Sequence, residues 1–132
     1  MMVGVVRLAA LLGFSGVALG AFGAHGLRDR VSPAMLEVYR TGVLYQLIHA
    51  LATLAIGLGA RHLRRARAIA GLFGIGVLFF SGSLYAMALT GITVLGAITP
   101  LGGLSFLIGW ALLCWAPFAP SRPAADPRLP PQ

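Results

Sequence analysis

Lysine is absent from this chain of 132 residues, acidic residues number three, and there is a single cysteine. Each shortage excludes something. Asp29, Glu37 and Asp126 are the only carboxylates, and they fall in a connection, an interfacial turn and a tail. No buried acid is then at hand as a general base or proton relay, and a serine beside a histidine would lack its orienting third group. The lone Cys114 permits neither an internal disulfide nor a CxxC metal site, and as a small side chain in an apolar run it needs no further role. His25, His49 and His62 come without a cysteine pair or a carboxylate at ligand spacing, which makes a poor metal site. A bis-histidine haem on His25 and His49 is opposed by their different depths. The expectation is no catalytic residue, no cofactor and no metal.

What the chain does have is apolar surface. Hydrophobic residues make up 58% and charged residues 10%, against about a quarter charged in a soluble domain. All ten basic residues are arginine and the formal charge is +7, but the arginines sit between apolar runs instead of forming a face for bases. No nucleic-acid partner is expected; the placement is a topology signal, with anionic headgroups as secondary contacts.

Four runs are long enough to cross a hydrocarbon core of roughly 30 Å at about 1.5 Å per residue. Residues 3–23 form the first. A cleaved signal peptide is the competing reading; the run is longer than a usual signal core and lacks a clear small-x-small site. Gly13, Gly16, Gly20 and Gly23 fall on one stripe of this helix, where a second helix is expected to pack. After a turn at 26–31, Ser32 and Pro33 supply an N-cap and a first-turn proline. The second helix, to about residue 58, exceeds the core thickness, so its start with Glu37 and Arg40 should lie in the interface or the helix should bend near Gly42. Tyr45, Gln46, His49 and Thr53 share one face, which is unlikely to meet lipid. Residues 61–67 carry four arginines and should be cytoplasmic. The third span, about 68–90, puts Ser81 and Tyr85 on one face and Ser83 on another. The fourth, about 97–115, opens with Thr99 and Pro100, and carries Gly102, Ser105 and Gly109 as a second small-residue stripe. Tyr39, Trp110 and Trp115 are interface or packing aromatics.

The fold class expected is therefore all-α, an integral membrane four-helix bundle over residues 1–116, with an interfacial extension at the start of the second helix. Residues 117–132 hold six of the eight prolines and read as a disordered cytoplasmic tail. With both termini inside, Arg7, Arg61, Arg64, Arg65, Arg67, Arg122 and Arg128 are cytoplasmic, against Arg28, Arg30 and Arg40 outside. Mapped onto that topology, His25, Tyr45, Gln46, His49, Ser81, Ser83, Tyr85, Thr99 and Ser105 lie near the membrane centre or in its outer half. Such a polar cluster could be an outward-facing ligand site with His49 at its heart, or a hydrogen-bonded interior that fixes helix register; the second reading is preferred.

Four stretches carry a resemblance: Gly20-Ala-Phe-Gly-Ala-His-Gly-Leu27, Tyr45-Gln-Leu-Ile-His-Ala-Leu51, Phe80-Ser-Gly-Ser-Leu-Tyr85 and Gly96-Ala-Ile-Thr-Pro-Leu-Gly-Gly103. With these motifs in order, the chain resembles the YgdD/YwdK-like family of small bacterial inner-membrane proteins, a domain of unknown function. The resemblance implies a multi-span protein of the plasma membrane. It marks His25, Tyr45, Gln46, His49, Ser81, Ser83, Tyr85, Thr99 and Pro100 as motif positions without giving any a role. The expected function is that of a small, non-enzymatic accessory or interaction protein whose partners are the lipid bilayer and a homo-oligomer or membrane complex. The alternative is a carrier or binder of a small solute, proton or lipid.

Overall fold

A computed structural model describes residues 1–59, 63 and 65–116. The Pro-rich tail, 117–132, and residues 61, 62 and 64 of the arginine-rich connection lie outside the described residues, and with them the expectation for the tail.

Among the described residues four helical spans are long and apolar enough to cross a membrane: α1 Val3–His25, α2 Pro33–Gly59, α3 Ala66–Thr90, and Thr93–Cys114, whose main part is α4 Thr99–Cys114. Their ends follow from local chemistry. The Ser32 hydroxyl accepts the Met35 N–H at 3.3 Å, capping α2, and Pro33 costs no hydrogen bond in the first turn. Gly91 ends α3 with φ of 72°, a left-handed conformation that glycine adopts without strain. Thr93–Ala97 forms a short 3-10 run that leads into α4. α2 is a single helix of 27 residues, so its length is taken up without the break considered near Gly42. That glycine makes room for a ring instead, since a Cβ there would lie 2.8 Å from Tyr85 Cε1. At its start, Arg40 and Glu37 form an exposed ion pair of 2.6 Å, a contact worth little to stability.

One departure is absent from the expectation. Inside α3, Val77–Ser81 is a π-helical turn, a wider coil that takes an additional residue and is usually found at sites under a special constraint.

The helices form a diamond. α2 and α3 are the central pair: 39% of each one's most apolar window is buried, against 17% in α1 and 22% in α4. α1 packs along α2 and touches α3, while α4 packs on α3 and its π turn. Small residues set these approaches. On α1, a Cβ at Gly16 would lie 2.8 Å from Leu47 Cδ2, at Gly20 3.2 Å from Val43 Cγ1, and at Gly23 2.6 Å from the Tyr39 ring. Gly13 is the exception; nothing lies within 4 Å of its Cβ position, so the stripe read from the sequence makes contact over three of its four members. On α4, Gly102 lies against the Phe80 backbone and Gly109 against the Phe73 ring, and the Ser105 hydroxyl donates to the Leu72 carbonyl at 2.8 Å.

Apolar side chains close both ends of the bundle. Val5, Ile56, Ile69, Phe73, Val77 and Phe106 pack at one end, and Leu27, Leu36, Tyr39 and Ala88 at the other. The polar residues of α2 lie between these two plugs.

Candidate functional site

The expected polar cluster exists as three separate hydrogen-bonded groups. The first is centred on Gln46, which joins α2 to α1 and α3. Its Nε2 donates to the Leu12 carbonyl at 2.9 Å and to Ser15 Oγ at 2.8 Å, and its Oε1 accepts from the Tyr85 hydroxyl at 2.8 Å. Both amide hydrogens are used. Ser15 Oγ in turn donates to the Leu11 carbonyl at 2.8 Å. The Tyr85 ring lies 4.9 Å from that of Tyr39, whose hydroxyl donates to the Leu19 carbonyl at 2.9 Å.

The second group is built on His49. Its Nδ1 lies 2.7 Å from the Tyr45 carbonyl, and its Nε2 lies 3.1 Å from Trp110 Nε1. A carbonyl can only accept and an indole N–H can only donate. The imidazole is therefore the neutral tautomer with its proton on Nδ1, and both nitrogens are occupied. Its ring stacks on Phe106 at 3.5 Å and 9°, and meets the edge of Phe73 at 5.1 Å and 68°. Thr53 closes the same turn by donating to the His49 carbonyl at 2.7 Å.

The third group pins α4 to α3. Ser83 Oγ lies 2.7 Å from Thr99 Oγ1 and donates to the Phe80 carbonyl at 2.9 Å.

Four residues of the expected cluster stand apart, Ser105 among them, since its hydroxyl bonds only the Leu72 carbonyl. His25 is exposed at the end of α1 and shares no hydrogen bond with the others. Ser81 Oγ is buried and is the one such side-chain atom without a partner among the described residues. The Tyr45 side chain, 38% exposed, turns out of the bundle onto Phe80, with ring centroids 4.5 Å apart. In place of one outward vestibule, then, the polar groups are shared out among four helix pairs, α1–α2, α2–α3, α2–α4 and α3–α4. Gln46 and His49 are three positions apart, an angular offset of about 60°, which aims one at α1 and α3 and the other at α4. Ser15 and Trp110 complete these groups, and neither was singled out for that role; Trp110 reads from the sequence only as an interface or packing aromatic. Its spacing on α4 carries no mark of its histidine partner.

Among the described residues no group of three or more histidines, cysteines and carboxylates could hold a metal ion. Four apolar helices joined by small-residue seams and internally paired polar groups define an integral membrane protein. Residues 19–103 match the family described as "Protein of unknown function (DUF423)", and the chain belongs to that family. It is 47% identical over 114 residues to the UPF0382 membrane protein of Haemophilus influenzae, covering 86% of this chain and 92% of that one. It is 43% identical to the UPF0382 membrane protein YwdK of Bacillus subtilis, over 82% of this chain and 90% of the relative. With the UPF0382 inner membrane protein YgdD of Escherichia coli it shares 40% identity over 80% and 82% of the two chains. No solved structure matches this chain. The family membership bears out the resemblance carried by the four motifs; neither the family description nor these relatives' names specify an activity.

Proposed function

We propose that this is a non-enzymatic accessory or interaction protein of a bacterial inner membrane, acting through its lipid-facing surface. The observation that carries the reading is the state of the two most polar intramembrane side chains. Gln46 and His49 have their nitrogens engaged by groups of the same chain. Such closed groups hold neighbouring helices in register and reserve nothing for a passing solute. The alternative, a carrier or binder of a small solute, proton or lipid, is favoured by one atom, the Ser81 Oγ, which has no partner among the described residues. Both termini are assigned to the cytoplasm from the arginine distribution, seven inside against three outside as counted from Arg7, Arg61, Arg64, Arg65, Arg67, Arg122 and Arg128 versus Arg28, Arg30 and Arg40, following the positive-inside rule.

Extraction in mild detergent followed by native mass measurement tests this reading. A stoichiometric second protein or a homo-oligomer supports it. A monomer that retains a water-soluble molecule overturns it in favour of the carrier. A His49→Gln protein, which keeps a donor and an acceptor but cannot titrate, is expected to match wild type in abundance and in complementing any phenotype of a deletion strain; a stable variant that fails to complement points to proton handling.

A further inference from the structure

The seam between α1 and α3 is built unlike the others. Elsewhere small residues are met by a neighbour, as at Gly16, Gly23, Gly102 and Gly109, but at Gly4, Gly71 and Gly82, which border this seam, a Cβ would meet nothing within 4 Å. Two hollows lie there in line. One, of about 620 Å³, is walled by Gly4, Leu8, Ala70, Gly71 and Arg67. The other, of about 410 Å³, continues past Leu12, Gly74, Leu78 and Gly82 as far as Leu19. Leu8 lines both, and among the described residues no hydrogen bond joins α1 directly to α3. From Gly4 to Leu19 the crevice runs about 22 Å at 1.5 Å per residue, enough to take an acyl chain from one leaflet of a core roughly 30 Å thick.

Charge fixes the depth of its mouth. Arg67 lines the opening from the first turn of α3, Arg65 directly precedes that helix, and Arg7 lies on the side of α1 that carries Val3, Gly4 and Leu8. All three are exposed, and none makes a hydrogen bond or ion pair among the described residues. Guanidinium groups are costly in hydrocarbon and hold this end at the headgroup level. The described carboxylates, Asp29 and Glu37, belong to the opposite end, where α1 stops and α2 starts. An occupant must therefore be anionic at the mouth and apolar along the rest. A second copy does not meet that requirement, because a two-fold contact would set the same arginines against each other. A free phosphate would leave the apolar length unfilled, and a zwitterionic lipid brings a cation of its own to the mouth.

We propose that the α1–α3 crevice holds a phospholipid with a net negative headgroup, its phosphate accepting charge-assisted hydrogen bonds from Arg67 and one acyl chain lying along Leu8, Leu12 and Leu78. This rests on the reading that the protein acts through its lipid-facing surface, and names the lipid class for one seam of that surface. The lipid is held there as part of the bundle; no transport is assigned to it.

The test offers the full-length, delipidated protein in detergent either phosphatidylglycerol or phosphatidylcholine with the same acyl chains, and counts retained lipid by native mass measurement over a concentration series. Saturable retention of one phosphatidylglycerol is expected, with phosphatidylcholine about tenfold weaker. Arg67→Gln should weaken phosphatidylglycerol about tenfold, as for loss of a hydrogen bond to a charged group, and phosphatidylcholine by under about twofold. Arg28→Gln, at the far end of the bundle, should change neither. Gly71→Leu and, independently, Gly4→Leu put a side chain into the crevice and should abolish retention of both lipids, with an unchanged thermal midpoint in lipid-free detergent. Equal retention of the two lipids, equal retention by Arg67→Gln and the parent, or full retention by a folded glycine variant would overturn the proposal. So would displacement of the lipid by equimolar glycerol 3-phosphate, which shows a site for the headgroup alone, or a lipid-free dimer that Gly71→Leu separates, which shows a second copy in the crevice. A partner protein in the same spectra leaves the accessory reading standing whichever way the lipid result falls, so the two can fail separately.

Discussion

His49 and Trp110 are 61 positions apart in the chain, and the bond between them can be tested as a pair. His49→Leu removes the acceptor of the indole N–H, and Trp110→Phe removes the donor to Nε2. Each is expected to cost about 1 to 2 kcal/mol, and the double variant less than the sum, because no unpaired group is then left behind. Additive costs, measured by thermal or denaturant unfolding in detergent, would show the bond to be energetically idle. From the sequence one could see that Gln46 and His49 share a face that profits little from lipid, and that much holds in the structure. Their partners were not legible. Ser15 looks like any serine back-bonded to its own helix, and a tryptophan in an apolar span looks the same whether or not its nitrogen is engaged. Partner choice depends on how helices are arranged about one another, which periodicity within one helix does not encode.

At the scale of the element, small-residue stripes were the best guide. Both were visible as spacings of three and four, and both mark seams between helices, because missing side chains permit backbones to approach. The extent of each contact was not visible: helices cross at an angle and diverge, so Gly13 belongs to the pattern and not to the seam. Two adjacent glycines on α4 separate these cases. A Cβ on Gly102 would collide with the Phe80 backbone, whereas one on Gly103 would meet the Phe80 ring at 3.8 Å, an ordinary contact. Gly102→Ala should therefore lower the thermal midpoint in detergent by several degrees, and Gly103→Ala by little or nothing. Equal midpoints would mean that α3 and α4 do not pack as described.

For the whole molecule, the number of spans and the connections between them were readable from length and hydropathy, since a bilayer fixes how much apolar chain a span needs. The diamond arrangement was not readable, because any two of four apolar helices could have been the central pair. Single-cysteine labelling in a Cys114→Ser background tests the orientation: with an impermeant reagent on intact cells, a cysteine at position 29 should react and one at position 64 should not, and the reverse would invert the assignment. The π turn in α3 bears on how the molecule could change length. Ahead of the turn, Ala66–Gly76 lies mainly against α4, and beyond it Gly82–Thr90 lies against α2. The wide turn holds one residue more than an α-helix would need between those two commitments. Deleting Leu78, which is 67% exposed, should tighten Val77–Ser81 into ordinary helix while leaving Phe73 and Tyr85 facing their present neighbours. Deleting Ala86 should instead turn every later residue by about 100° and cost most of the folded yield. The span thus carries a spare link, at which the chain can lose a residue without the rest of the membrane domain having to be re-aimed.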